Sequence, residues 1–362
     1  MKAFVSVVER SASNYIHAIM KDFNSVEFWG ITDESLERIG FKSVGKLEDL
    51  SVVGLWEAIP KIPTVIKLLR RIESLVEKMD AVILCDAPAF NLMLLKRIRK
   101  KAKKVIYFIS PQVWAWKEKR AEVISKLADH LIVILPFEVD FYKKYNKEAI
   151  FVGHPLVDLA KPTLPEEKVK SLLDWDQYIV ILPGSRWSEI KNHAKYLKEA
   201  YQAIYKETKL PAVIPTFESF KRKLEEVFED LPVRVFTALD IEQPNYNLSA
   251  YAKFGLVASG TAELELSLLG VPHVVFYRVN PITYCIAKRL VKVKNVALTN
   301  LVLGENVIPE VVQRPWQDLV EASLKIDFEA QKRAFPKLKK ELGGEGSIER
   351  LRAKFRELLL GS

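Results

Sequence analysis

The sequence predicts an α/β protein made of two doubly wound parallel-sheet domains. Its 362 residues exceed the size at which one hydrophobic core usually keeps growing, which points to two domains of roughly 150–200 residues. Short β-rich runs alternate with helical patterns in both halves, the rhythm of a parallel sheet flanked by helices. A polar connector between His154 and Asp176, carrying Pro155, Pro162 and Pro165, interrupts that rhythm once.

In the first half the expected strands are Ala3 to Val8, Val26 to Ile31, Ala81 to Cys85, Val105 to Ile109, Leu131 to Leu135 and Ile150 to Val152, each closed by a turn residue. Between the second and third, Leu55, Ile59, Ile62, Ile66, Leu69, Ile72, Val76 and Met79 recur at helical spacing and mark one buried helix face. Val52, Val53, Trp56 and Val65 fall off that stripe, interleaved with Lys61, Lys67, Arg70 and Arg71. Apolar residues with a Trp among cations suit insertion into a lipid headgroup layer; extra core or a dimer contact are the other readings. The second half continues with strands at Tyr178 to Leu182, Ala212 to Pro215, Val233 to Thr237, Gly255 to Ala258 and His273 to Tyr277, and ends in a helical tail from Phe328 to Leu360, broken at Gly343-Gly344. The expected domains are 1–155 and 156–344, with 345–362 a helix packing back on the first.

A chain 49% hydrophobic and 28% charged, with 14 Gly and 18 Pro, is neither disordered nor collagenous. Cys85 and Cys285 show no disulfide or zinc spacing, which suits a reducing cytosol. No run approaches the ~20 apolar residues of a membrane span, so membrane contact is expected to be peripheral. The net charge of +9 suits anionic lipid, nucleic acid or phosphorylated small molecules. Part of it lies in two clusters, one from Lys96 to Lys104 and one at Lys288, Arg289, Lys292 and Lys294; either also reads as a solvated helix face. No nucleic-acid motif accompanies the charge. Neither GxGxxG nor a Walker sequence follows a strand, and His17, His130, His154, His193 and His273 are scattered, so neither a nicotinamide or flavin cofactor nor a metal is expected.

In doubly wound sheets ligands bind beyond the carboxyl ends of the strands. Asp86-Ala-Pro-Ala-Phe-Asn91 follows the third strand; Asp86 is placed either to accept a proton from an attacking hydroxyl or to cap a helix. Ser110 to Arg120 contains Trp114 and Trp116 beside three cations, a platform for sugar faces and phosphates unless the indoles are core. In the second half, Gly184 and Ser185 form a flexible turn before Arg186, whose guanidinium can grip two phosphate oxygens. Ser259, Gly260 and Thr261 open a helix after a strand, offering free N–H groups to a diphosphate, with Glu265 a turn further on for ribose hydroxyls.

Taken in order, Asp86-Ala-Pro-Ala-Phe-Asn91, Ser110-Pro-Gln-Val-Trp-Ala-Trp116, Leu135-Pro-Phe-Glu138, Phe151-Val-Gly-His-Pro155, Leu182-Pro-Gly-Ser-Arg186, Ser259-Gly-Thr-Ala262 with Glu265, and Ala287-Lys-Arg-Leu-Val-Lys292 leading to Asn300 resemble the lipid-A-disaccharide synthase family along nearly the whole chain. The resemblance implies a GT-B fold, two Rossmann-like domains facing a cleft. It implies inverting, metal-independent transfer from UDP-2,3-diacylglucosamine to 2,3-diacylglucosamine 1-phosphate at the inner face of the inner membrane. Asp86 and Arg186 would be catalytic. Gly184, Ser185, Ser259, Gly260, Thr261, Glu265 and Asn300 would bind the donor, with Asn91, Trp114 and Trp116 on the acceptor side. A homo-oligomer is compatible with the chain. The departures are Glu9-Arg-Ser-Ala-Ser-Asn14, where the family usually has Gly-Glu-x-Ser-Gly-Asp, and Ala89, where it often has Asp. Two alternatives are a catalytically silent UDP-sugar-binding relative and a UDP-sugar epimerase.

Overall fold

The structure, a computed structural model, describes residues 1–47, 50, 62–114, 118–279 and 295–361. Among them the chain divides into two compact units, Met1–Pro155 with Glu345–Ser362, and Leu156–Gly344.

The first unit runs β1 Lys2–Val7, α1 Arg10–Met20, β2 Glu27–Thr32, α2 Glu34–Arg38, β3 Lys42–Lys46, α3 Ile62–Val76, β4 Ala81–Cys85, α4 Pro88–Ile98, β5 Val105–Phe108, α5 Lys119–Leu127, β6 His130–Val133, α6 Phe137–Lys143 and β7 Ala149–Phe151. Its seven strands lie in the order β3-β2-β1-β4-β5-β6-β7, all parallel. The second unit runs α7 Leu156–Leu159, α8 Glu166–Leu173, β8 Ile179–Leu182, α9 Trp187–Thr208, β9 Ala212–Pro215, α10 Glu218–Phe228, β10 Val233–Phe236, α11 Pro244–Ser249, β11 Gly255–Ala258, α12 Thr261–Leu268, β12 His273–Tyr277, α13 Leu298–Leu303, β13 Glu310–Val312, α14 Trp316–Leu324 and α15 Phe328–Glu341. Its sheet has the order β10-β9-β8-β11-β12-β13, also parallel.

Central strands such as β4, β5, β8 and β11 are buried along their whole length. Helices cover both faces of a parallel sheet, so these strands read as continuous apolar runs. The two strands absent from the sequence reading, β3 and β13, are edge strands: Lys42-Ser-Val-Gly-Lys46 and Glu310-Val-Val312 are short and flanked by charge. An edge strand is half-solvated, so its hydrophobic signal is weak.

The predicted helix stripe is buried at Leu69, Ile72, Val76 and Met79, but Ile66 is 36% exposed. At the front of α3 contact passes instead through Leu68. A Cβ added to Gly45 in β3 would come within 2.9 Å of Leu68 Cδ1, so the bare glycine is what lets helix and strand approach.

The last helix, α16 Ser347–Leu360, belongs to the first unit. It buries Leu351, Phe355 and Leu358, and Phe355 meets Phe108 of β5 edge-on at 5.3 Å. Arg352 donates to the Ala18 and Ile19 carbonyls at 2.9 and 3.0 Å, groups left without partners at the end of α1. Phe355→Ala should lower the unfolding free energy of the first unit by about 3–5 kcal/mol, read as an earlier urea transition by circular dichroism; an unchanged transition would show that α16 adds nothing to that core.

Candidate active site

In both sheets chain order reverses between two neighbouring strands, β1 and β4 in one and β8 and β11 in the other. Loops leaving such a pair diverge to opposite faces and open a crevice at the carboxyl edge. Of the sequence-derived residues, Asp86 and Asn91 fall at the first place and Gly184 to Arg186 and Ser259 to Glu265 at the second.

At the end of β4, Asp86 and Ala87 both adopt left-handed backbone, with φ of 46° and 44°, and at the end of neighbouring β5 Ile109 does so at 64°. Such angles in residues with a Cβ cost about 1–3 kcal/mol each and persist only where surroundings over-determine them. Here the surroundings are visible. The Asp86 carbonyl accepts from Asn91 Nδ2 at 3.0 Å and from the Tyr107 hydroxyl at 2.9 Å, and its N–H donates to the Phe108 carbonyl at 3.0 Å. Asn91 Nδ2 also reaches the Cys85 carbonyl at 2.8 Å, and its Oδ1 accepts from Ser6 Oγ at 2.6 Å. Burial, then the charge of Asp86, holds the Tyr107 phenol well above its ordinary range, so it stays a donor.

Asn91, expected on the acceptor side, is fully buried: a carboxamide in the core has to satisfy its polar atoms internally, and this one holds the Asp86 turn. Trp114 is partly buried, its indole N–H donating to Glu138 Oε1 at 3.2 Å and its ring edge-on to Phe137 at 4.9 Å. Glu138 also accepts from the Leu135 N–H at 3.1 Å. Burial pushes its carboxyl up to about 8, with the Asp86 charge adding to the rise. The sequence reading quoted Glu138 only as part of a motif; a buried acid under the Trp loop was the signal missed. Trp116 lies outside the described residues. In the departing loop, Glu9 precedes α1 and Ser13 is buried, donating to Asp33 Oδ2 at 2.6 Å.

At the end of β8, Gly184 takes φ 122°. It was expected to let a ligand approach, but the space beside it holds Glu189: an added Cβ would meet Glu189 Oε2 at 2.6 Å. That carboxylate accepts from the Ser185 and Arg186 N–H groups at 3.0 and 3.3 Å. The Arg186 guanidinium, 64% exposed, keeps a loose 3.8 Å pairing with Glu189. Behind the loop, fully buried His193 meets the Pro183 carbonyl through Nδ1 at 2.7 Å, while Nε2 faces the Arg278 N–H at 3.2 Å. Nε2 also lies 3.0 Å from the Arg278 carbonyl, so the ring ties the Pro183 loop to the segment after β12.

Beside it, at the end of β11, Gly260 caps α12 with φ 140°, and no described atom lies within 4 Å of where its Cβ would sit. Thr261 opens the helix, and Ser259 Oγ donates to the Val296 carbonyl at 3.0 Å. Glu265 accepts from Asn245 Nδ2 at 2.7 Å and the Tyr246 hydroxyl at 3.3 Å; burial lifts it to about 7 against those two bonds. Asn300, expected to touch the donor, is 1% exposed. Its side chain donates to the Ile308 carbonyl and Glu310 and accepts from the Val307 and Ile308 N–H groups, all at 2.8–2.9 Å. With four bonds made inside the unit, it shapes the segment that Ser259 leans on. His193, Asn245 and Tyr246 escaped the sequence reading because their roles are contacts across elements; Glu189, the acid of a capping box three residues after Arg186, carried a local signal that was missed.

Val65 is half-buried near the start of α3; Val52, Val53, Trp56 and the cluster Lys288, Arg289, Lys292 and Lys294 lie outside the described residues. The basic run from Lys96 to Lys104 is largely spent within the first unit. Arg97 and Lys101 pair with Glu73, Arg99 with Asp129 and Lys103 with Asp80, and Lys104 bonds the Leu358 carbonyl. It lies at the end of α4, on the edge of the sheet opposite Asp86, because a crossover helix runs antiparallel to its strands. Among the described residues no group of three His, Cys, Asp or Glu side chains is arranged to hold a metal ion, and no helix is long and apolar enough to cross a membrane.

Two parallel doubly wound units with their marked residues at the switch points define a GT-B fold. Solved structures agree at the level of fold: S. aureus MnaA with UDP superposes with a TM-score of 0.68 over 99% of this chain and 97% of its own, at 15% identity. A UDP-GlcNAc 2-epimerase from Neisseria meningitidis bound to UDP-GlcNAc gives 0.64 over the whole of both chains, 100% each, at 13% identity. At the level of sequence, a family model for lipid-A-disaccharide synthetase matches residues 3–342. The lipid-A-disaccharide synthase of Aquifex aeolicus (strain VF5) is 44% identical, covering 99% of each chain. The chain belongs to the lipid-A-disaccharide synthetase family, glycosyltransferases of lipid A biosynthesis.

Glu138 supplies a pH test. Its folded pKa lies above the ordinary 4.5, so the folded state binds the extra proton. Its share of stability is complete below about 4.5 and is lost as pH rises toward 8. Infrared spectra should show a protonated-carboxyl stretch at pH 6 that fades toward pH 9, the component with the higher midpoint being absent from Glu138→Gln; an identical spectrum in that variant would show Glu138 ionised.

Proposed function

We propose that this chain transfers a 2,3-diacylglucosaminyl group from UDP to 2,3-diacylglucosamine 1-phosphate, forming a β(1→6) disaccharide and UDP with inversion at the anomeric carbon. The observation that carries the reading is Asp86, kept in a strained left-handed turn at a switch point by Asn91 and Tyr107, within a chain of this family. Strain maintained by a dedicated hydrogen-bond clamp points to a side chain whose direction matters. Asp86 would take the proton from the acceptor 6-hydroxyl as that oxygen attacks the anomeric carbon from the face opposite UDP. One base suffices for a single inverting displacement.

In the second unit the departing diphosphate would be met by Arg186 and by the N–H groups opening α12 after Gly260, donors placed where negative charge develops. No metal ion or cofactor enters this mechanism. Glu265, oriented by Asn245 and Tyr246, is offered to the ribose hydroxyls. Both substrates carry acyl chains, which suits work at the inner face of the inner membrane. The support for that contact is apolar: Val65 and the 36%-exposed Ile66 lie at the start of α3, and since α3 runs antiparallel to the strands, its start lies at the same edge of the sheet as Asp86.

Asp86→Asn keeps shape and removes the base. Turnover, followed as disaccharide by mass spectrometry, should fall roughly 100-fold or more while UDP affinity and melting temperature stay near wild type. Arg186→Ala should weaken UDP binding as well. An Asn variant that melts normally and keeps more than about a tenth of wild-type turnover would remove Asp86 from the mechanism. For the membrane, Val53→Ser with Trp56→Ser should reduce vesicle flotation without lowering the melting temperature, and high salt should weaken flotation only in part. A drop in melting temperature would make those residues core.

A further inference from the structure

The loops after β8, β9 and β10 each bring a large apolar side chain to the surface at the carboxyl edge of the second sheet. Trp187 is 42% exposed, Phe217 43% and Leu239 82%. Trp187 stacks on Phe220 at 5.8 Å and 24°, and Phe217 meets Phe220 edge-on at 6.1 Å. The Leu239 loop is fastened to the start of α10 by Lys221 to Asp240 at 2.8 Å and by Thr237 Oγ1 to Glu218 at 2.8 Å. Single exposed hydrophobics are ordinary, but a contiguous set marks a contact surface.

We propose that Trp187, Phe217, Phe220 and Leu239 form a platform for an acyl chain of the sugar nucleotide whose diphosphate Arg186 holds. The proposal rests on the donor reading above and deepens it by giving the donor's lipid part a place in the second unit. Two observations select this occupant. Position is the first: Trp187 follows Arg186 directly, and β8 to β10 are adjacent strands ~4.8 Å apart, so the platform begins beside the phosphate ligand and extends ~10 Å from it, within the length of a fatty acyl chain. Charge is the second: α10 sets Glu218, Glu225 and Glu226 against Lys221, Arg222 and Lys223, with Arg222 and Lys223 sharing Glu226 and Lys221 pairing with Asp240. Cations neutralised in this way leave little field for an anionic headgroup layer, and the complement of the surface is an uncharged hydrocarbon chain.

The experiment is calorimetric titration with UDP and with UDP-glucosamine carrying two short acyl chains, soluble as a monomer so that no micelle intervenes. The full-length wild type should bind the acylated nucleotide at least tenfold more tightly than UDP. The double variant Phe217→Ser with Leu239→Ser should lose most of that advantage, keep its UDP affinity, and float with anionic vesicles as wild type does. Should the pair fail to fold, Leu239→Ser alone, at a side chain too exposed to support a core, gives the same reading at smaller amplitude. An undiminished preference for the acylated nucleotide in the variants would overturn the platform. So would a loss of vesicle flotation in proportion to the loss of affinity, which would assign the surface to the bilayer. Disaccharide synthesis is assayed alongside: a wild type that prefers the acylated nucleotide yet makes no disaccharide sinks the transfer reading and leaves the platform standing.

Discussion

Burial of both faces of two parallel sheets is the constraint from which the rest of this molecule follows. With helices on either side, a strand such as Ala81–Cys85 or Ile179–Leu182 has no solvent-facing side, and a polar side chain along it would lose its hydration without compensation. Polar chemistry is therefore displaced to the strand ends. At the carboxyl ends the loops begin, and at the β1/β4 and β8/β11 pairs they part. Asp86, Arg186, Gly260 and Glu265 sit where that displacement puts them.

A loop at such an edge is soft unless something stiffens it, and in this chain the stiffening comes from buried and half-buried polar side chains bonded to backbone. Asn91 and Tyr107 hold the Asp86 turn, Glu189 and His193 hold the turn before Arg186, and Asn300 with Glu310 holds the segment beside Ser259. A further member is Glu263, fully buried in the first turn of α12, which accepts from the Thr299 N–H at 3.2 Å and contacts His273 at 3.3 Å. A half-satisfied buried network would cost more than an apolar core, and most of these groups are engaged with more than one partner. The loops at the strand ends thus owe their shape to residues that are buried or only partly exposed.

That division explains which parts of the site were legible in the sequence. Asp86 and Arg186 stand out because an acid and a guanidinium fall in the loops that follow strands. Asn91 and Asn300 were legible as motif members but were read as ligand contacts, since a motif reports that a residue matters and not which way it faces. Glu138 was legible only as part of Leu135-Pro-Phe-Glu138; its elevated carboxyl comes from burial and then from the charge of Asp86, against the bond from Trp114, and both residues are far off in the chain. The basic run at Lys96–Lys104 read as a cluster of cations because the acids that pair with it, Glu73, Asp80 and Asp129, come from other elements.

The sequence by itself determined the fold class, most strands and the residues marking the two strand-end loops. These follow from periodicity and local turn chemistry, which act over a few residues and are written consecutively in the chain. Tertiary structure alone decided the edge strands β3 and β13, the exposure of Ile66, and the inward turn of Asn91 and Asn300. Each of those depends on which distant group arrives alongside, and burial, hydrogen-bond satisfaction and charge pairing are fixed by neighbours in space.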